Sequence, residues 1–239
     1  MSTTENARTT AAGYEAAGYD ADLGARVGVE IEQIKSRYPA GQERSALIPM
    51  LHLVQSIDGY VSPRGIALCA EALGLTRSEV SAVATFYSQF HRHPAGEYHV
   101  GVCTNALCAV MGGDEVWRAV SEHTGLGNDE TSEDGRISLE RVECNAGCDY
   151  APVVMVNWEF FDNQTPASAV ELVSRLERGE DVVPTRGPET LPTFRENERL
   201  LAGFEDGRAD EGVGAGEASL LGLRIARERG WSVPEEEAE

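Results

Sequence analysis

The order of secondary-structure signals along the chain predicts an α+β fold, with an N-terminal helical bundle followed by a small domain whose helices pack on an open sheet. Apolar residues recur at helical spacing from Arg26 to about Ser88. From Tyr98 onward, short β-branched runs alternate with helical segments. Hydrophobic residues make up 41% and charged residues 25% of the sequence, which are ordinary values for a globular protein.

The 239 residues are enough for one or two domains, and composition divides them into four parts. Residues 1–25 are small, polar and aperiodic, which predicts a mobile tail without the apolar core of a secretory signal. We expect the helical domain at 26–92, the sheet domain at 96–179 and an acidic C-terminal extension at 180–239. Within the extension, the stretches "LPTFRENERLLAGF" and "SLLGLRIARERG" are the two that could become ordered, either against a partner or as transient surface helices.

The helical domain is predicted to contain four helices. The third and fourth have the best-defined starts, because Ser62 precedes Pro63 as an N-cap and Thr76 with Glu79 forms a capping box. The first two are marked by periodic apolar residues, which are Val29, Ile31 and Ile34 before Pro39, and Leu47, Ile48, Leu51 and Val54 before Asp58-Gly59.

The sheet domain is predicted to follow the order β-α-β-β-α. Its strands are "YHVGVC", "RISLERVEC" and a hairpin made of "PVVMVNW" and "EFFDN". A helix around "GGDEVWRAVSEHTG" and the polar loop "GLGNDETSEDG" separate the first two strands. A final helix starts at Thr165-Pro166 and ends at Gly179. This order favours a small open sheet with helices packed on it.

Four of the five cysteines follow predicted strands in two pairs. Cys103 and Cys108 are spaced C-x4-C after the first strand, and Cys144 and Cys148 are spaced C-x3-C after the second. If both loops lie at the same end of the sheet, the four thiols meet even though 35 residues separate the pairs. The pattern therefore predicts one four-cysteine site.

The four cysteines could form disulfides, bind a zinc ion or bind a [2Fe–2S] cluster. Disulfides are disfavoured because no secretory signal is expected and cytosolic thiols are kept reduced. Structural zinc remains open, although zinc pairs are usually C-x2-C, which this chain lacks. A [2Fe–2S] cluster also takes four thiolates and tolerates wider loops, so spacing favours it modestly over zinc. The plant-type ferredoxin pattern is excluded because no third cysteine follows Cys108 at the required interval.

The remaining candidate residues have structural interpretations. Cys69 lies in a predicted amphipathic helix and is expected to be a buried apolar residue. We expect His52 to be packed on a helical face, and His91 and His93 to be surface or interface residues rather than ligands.

Composition also excludes several functions. The formal net charge of −20 argues against binding nucleic acid, whose phosphates it would repel. No apolar run approaches the length of a membrane span, so a cytoplasmic protein is expected. Neither G-x-G-x-x-G nor a P-loop is present, which leaves no candidate nicotinamide or flavin site in this chain.

Three stretches give the sequence a specific family resemblance. "FYSQFHRHPAGEYHVGVCTNALC", "ECNAGCDYAP" and "VNWEFFDNQTP" resemble the 24-kDa-type subunit of respiratory complex I, the NADH:quinone oxidoreductase, over about Val29 to Gly179. The resemblance implies a thioredoxin-like [2Fe–2S] ferredoxin domain. It also implies that Cys103 and Cys108 bind one iron, while Cys144 and Cys148 bind the other. By analogy with thioredoxin-like folds, the peptide bond before Pro152 is predicted to be cis.

The same resemblance implies the role and the partners. The chain would carry single electrons for a flavoprotein subunit that binds NADH and FMN, within the peripheral arm of a complex on the cytoplasmic side of the membrane. One position departs from the family pattern, since Ala146 stands where many relatives have glycine two residues after the third ligand. Two alternatives stay open, which are the equivalent subunit of an NAD-linked hydrogenase or formate dehydrogenase and a zinc-stabilised interaction module without redox function.

Overall fold

The computed structural model describes residues 18–232, so most of the predicted N-terminal tail lies outside the described residues. The described chain divides into two compact units. Of the described residues, the first unit contains 18–99, 131–138 and 192–206, and the second contains 100–130, 139–191 and 207–232. The segment after residue 180, which composition alone groups as one extension, therefore contributes to both units. Across residues 18–232 no helix is long and apolar enough to span a membrane.

The described residues form helices and one five-stranded sheet, in agreement with the predicted α+β class. The helices are α1 (Ala21–Lys35), α2 (Leu47–Asp58), α3 (Pro63–Leu73), α4 (Arg77–Phe86), α5 (Ala106–Val110), α6 (Gly113–Thr124), α7 (Pro166–Glu177), α8 (Phe194–Leu201) and α9 (Glu217–Glu228). The strands are β1 (Tyr98–Cys103), β2 (Glu130–Thr131), β3 (Ile137–Val142), β4 (Val154–Val156) and β5 (Glu159–Phe161), and two 3₁₀ turns span Glu43–Ala46 and Cys148–Tyr150.

The first unit contains the four predicted helices, α1 to α4, around one apolar core. The Ser62 side chain caps α3, and the capping box of Thr76 and Glu79 starts α4, both as predicted. Helices α2 and α3 end at Gly59 and Gly74, which adopt the left-handed conformation with φ of 81° and 64°. Local sequence signals therefore define both ends of α3.

Helix α1 begins at Ala21, earlier than the predicted start at Arg26. The Asp20 carboxylate caps it by accepting from the Leu23 amide. Tyr19 is buried, and its hydroxyl donates to Asp58 at 3.0 Å. The residues just before Arg26 are therefore ordered by a cap and by a long-range contact that apolar periodicity does not register.

Helix α8 corrects a second expectation. Its segment, "LPTFRENERLLAGF", was expected to become ordered against a partner or only transiently, but it belongs to the first unit, where α8 packs against α2. The Glu198 side chain is fully buried, and its carboxylate lies 2.7 Å from His52 Nδ1. Burial raises the pKa of Glu198, and the hydrogen bond with His52 opposes that rise. A pairing across 146 residues of sequence leaves no local pattern by which to predict it.

The five strands are ordered β2-β3-β1-β4-β5 in the sheet. Strand β4 runs antiparallel to β1, with Val102 opposite Val154, and antiparallel to β5. The predicted hairpin is present, and its turn residues Asn157 and Trp158 both have positive φ, at 48° and 67°, as a tight hairpin turn requires. Strand β2 was missed because its two residues lie inside the stretch assigned to a polar loop.

Candidate metal centre

The first cysteine pair lies in regular structure. Cys103 is the last residue of β1, and Cys108 lies in the short helix α5, which Asn105 caps through the Ala106 amide at 2.6 Å. Both side chains are only 3% exposed. Burial, followed by the hydrogen bond with Cys103, raises the pKa of Cys108 to about 11, and the charge of Cys148 adds to the effect. Cys108 therefore lies close enough to both Cys103 and Cys148 to interact with them electrostatically.

The second pair lies on an exposed loop after β3. Cys144 and Cys148 are both solvent-exposed, and Cys148 opens a 3₁₀ turn. Between them, the side-chain amide of Asn145 donates through Nδ2 to the Gly101 carbonyl of β1 at 3.2 Å. This bond ties the second loop to the strand that ends at Cys103. Asn145 was not singled out from the sequence, because nothing local distinguishes a structural asparagine from a loop asparagine.

Ala146 turns the second loop, at the position where the resemblance led us to expect glycine. Its φ is +53°, a left-handed conformation that glycine adopts without strain and alanine adopts only at a cost. In this conformation the Ala146 amide donates to the Cys144 sulfur at 3.3 Å. The loop therefore turns at a residue other than glycine and still directs an N–H group at a predicted ligand.

Two glycines allow the chain to approach the cysteines closely. A Cβ atom on Gly113, at the start of α6, would lie 2.6 Å from the Cys103 carbonyl oxygen and 2.8 Å from that of Cys108. A Cβ atom on Gly147 would lie 3.1 Å from the Val153 side chain. The first cysteine pair is thus packed against backbone, and the second against side chains.

The donor set fits a metal centre. The buried Cys108 thiol, whose pKa is raised, stays protonated without a cation, and a bound metal ion or iron–sulfur cluster would compensate the charge of its thiolate. Four sulfur ligands suit zinc or an iron–sulfur cluster. An N–H group directed at a ligand sulfur is a device that tunes cluster potentials. The described residues therefore fit a [2Fe–2S] cluster.

The fifth cysteine and the candidate histidines belong to the first unit. Cys69 is fully buried in the first unit, and burial raises its pKa to about 12, consistent with the predicted packing role. His52 is buried as predicted, and His93 is exposed. His91 is half-buried, with its ring 4.6 Å from that of His99. The Ala151–Pro152 peptide bond is cis, also as predicted.

Comparison with known proteins identifies the family of the chain. The model of the family described as thioredoxin-like [2Fe-2S] ferredoxin matches residues 31–177, more than half of the chain. A subunit of the NADH-quinone oxidoreductase of Mycobacterium tuberculosis is 55% identical over 217 residues, covering 90% of this chain and 85% of that protein. A second relative, NADH-quinone oxidoreductase subunit 2 of Thermus thermophilus, is 36% identical over 150 residues, covering 62% and 83% of the two chains.

The chain therefore belongs to the thioredoxin-like [2Fe–2S] ferredoxin family, in the group that contains these NADH-quinone oxidoreductase subunits. This confirms the family resemblance drawn from the three quoted stretches and the thioredoxin-like domain that the resemblance implies. Among solved structures, a chain of an NAD⁺-reducing [NiFe]-hydrogenase aligns with a TM-score of 0.49 at 16% identity, covering 56% of this chain and 23% of that one.

Proposed function

We propose that this chain binds one [2Fe–2S] cluster through Cys103, Cys108, Cys144 and Cys148 and is an electron-transfer subunit of an NADH:quinone oxidoreductase. The observation that carries the proposal is the placement of two cysteine pairs in one unit, with Asn145 bonded to the strand that ends at Cys103. The identity with the mycobacterial oxidoreductase subunit, over nine-tenths of the chain, supports this assembly rather than a hydrogenase or a formate dehydrogenase.

The protein's own residues hold and tune the site. Cys103 and Cys108 are buried, which would shield one side of the cluster from water, while Cys144 and Cys148 are exposed on the other loop. The Ala146 N–H would offset negative charge on the Cys144 sulfur. When bound, the cluster supplies the exchange of one electron at a time.

The electrons must come from another subunit. A nicotinamide delivers a hydride, so a flavin is needed to divide the electron pair, and the sequence contains neither a dinucleotide nor a phosphate-loop fingerprint. We infer a flavoprotein partner that binds NADH and FMN, together with other subunits of the peripheral arm. The complex would lie on the cytoplasmic side of the membrane, with this chain attached peripherally.

The test is reduction of the cluster in the assembled complex. We would isolate the complex from membranes, add NADH anaerobically, freeze within milliseconds to seconds and record low-temperature EPR. The proposal predicts an S = 1/2 signal that disappears in a Cys108→Ala variant and persists in a Cys69→Ala variant, because Cys69 lies in the other unit. A cluster that dithionite reduces but NADH never does would contradict the flavoprotein partnership.

A further inference from the structure

A partly buried guanidinium lies against the second cysteine loop. Arg186 follows the end of the family-model match at residue 177, and its side chain is 13% exposed. Residue 186 forms an isolated β-bridge with Phe160, which places the segment beside β5. Its Nη2 atom would lie 3.2 Å from a Cβ atom built on Gly147, the residue before Cys148. A positive charge from outside the family domain thus reaches the loop that carries two predicted ligands.

Four contacts fix the orientation of this guanidinium. Nε donates to Asp162 Oδ2 at 2.8 Å, and Nη1 donates to the Gly214 carbonyl at 2.6 Å. The Phe160 ring lies 3.5 Å from the guanidinium carbon, and the Tyr150 ring lies 5.2 Å from it. Asp162 binds Nε, and Nη2 is the guanidinium atom next to Gly147, so the cation of this ion pair is the member that contacts the cysteine loop.

The C-terminal segment holds this arrangement in place. The Ala218 amide donates to the Tyr150 hydroxyl at 3.1 Å, and the Ser219 hydroxyl donates to the Asp149 carboxylate at 3.2 Å. Both acceptors belong to the 3₁₀ turn that Cys148 opens. The guanidinium and the cysteine loop are therefore held by the same segment, so their separation is well defined.

We infer that Arg186 raises the reduction potential of the cluster through its charge, a role that rests on the proposed function. Reduction adds one negative charge to the site, and a nearby cation stabilises the reduced form more than the oxidised form. Water screens this interaction weakly, because both members of the ion pair are largely buried and an aromatic ring covers the guanidinium. The carboxylate of Asp162 weakens the effect without cancelling it, since the guanidinium and not the carboxylate is among the groups nearest to Gly147.

The experiment is an EPR-monitored redox titration of the full-length chain with its cluster, using two substitutions of opposite sign. Arg186→Gln removes the cation and is expected to lower the midpoint potential. At a fixed solution potential, the ratio of oxidised to reduced cluster should rise by about threefold to tenfold, and a tenfold rise corresponds to about 59 mV for one electron. Arg186→Lys keeps the charge and should retain most of the potential. Asp162→Asn removes the counter-ion and should shift the potential upward.

The matched control is Arg178→Gln, which makes the same change in net charge at a side chain that is 51% exposed, and it should leave the potential unchanged. The inference is overturned if Arg186→Gln and Asp162→Asn shift the midpoint potential in the same direction. It is also overturned if Arg186→Lys lowers the midpoint potential as much as Arg186→Gln does, because a purely structural role of Arg186 predicts both results. Should Arg186→Gln fail to accumulate, the sign of the Asp162→Asn shift decides the matter. Absence of a [2Fe–2S] signal in the wild type would defeat the proposed function itself, whereas a normal wild-type signal with no shift in Arg186→Gln would defeat only this inference.

Discussion

The two cysteine loops differ in what holds them. Cys103 and Cys108 lie in a strand and a helix and are buried, whereas Cys144 and Cys148 are exposed on an irregular loop. The first loop is packed against backbone atoms around Gly113, and the second against the side chains of distant residues such as Arg186. Local structure therefore fixes one half of the site, and tertiary contacts fix the other.

The largest effect is expected on the iron content when one predicted ligand of each loop is replaced, and the two replacements should differ clearly from each other. Cys108→Ser places a hydroxyl in a buried site where it resists deprotonation, so we expect iron occupancy to fall by more than about tenfold. Cys148→Ser lies where the loop is exposed, and serine or water can complete the coordination, so a substantial fraction of the cluster should remain with shifted EPR g values. Equal losses of iron, measured per folded chain, would contradict the distinction between the loops.

The next largest effect is expected at Gly113. Gly113→Ala forces a methyl group against the carbonyl oxygens of Cys103 and Cys108, which cannot move without distorting the backbone. We expect a loss of about 2–3 kcal/mol in the free energy of unfolding, measured by denaturant titration. The control is Gly222→Ala in α9, where nothing lies within 4 Å, and it should be neutral or slightly stabilising. A Gly113→Ala variant as stable as Gly222→Ala would show that the first loop is less tightly packed than described.

The corresponding change in the second loop should cost less. A methyl group on Gly147 would lie 3.1–3.3 Å from side-chain atoms of Val153, Arg186 and Phe160, which can shift. We expect Gly147→Ala to destabilise the protein by about 1 kcal/mol, at the low end of overpacking effects. Thermal unfolding of the two glycine variants side by side tests the ranking, and a larger loss at Gly147 than at Gly113 would reverse it.

The smallest effect is expected at Ala146. Ala146→Gly relieves about 1 kcal/mol of left-handed strain but adds about 0.5–1 kcal/mol of unfolded-state entropy, so the two nearly cancel. The amide that donates to Cys144 remains, so the reduction potential should also stay within the error of an EPR titration. A clear shift in potential would mean that the Ala146 methyl, and not only its amide, affects the site.

The difference between local structure and tertiary contacts also explains which features could be predicted from the sequence. The four helices α1 to α4, the strands β1 and β3 and the hairpin carry local signals of periodicity and capping, and the two cysteine pairs carry a spacing signal. The packing of α8 within the first unit was not predicted, because its partners in α2, such as His52, lie far away in sequence. The contacts of Asn145 and Arg186 were missed for the same reason, since single polar residues in loops carry no periodic signal.

The central claim is that the four cysteines hold one [2Fe–2S] cluster. We would measure iron, zinc and acid-labile sulfide in the anaerobically purified chain and record low-temperature EPR before and after dithionite. The account predicts about two irons and two sulfides per chain and an S = 1/2 signal that appears only on reduction. Stoichiometric zinc from a native preparation, with neither sulfide nor signal, would contradict it and leave the four cysteines as a structural zinc site.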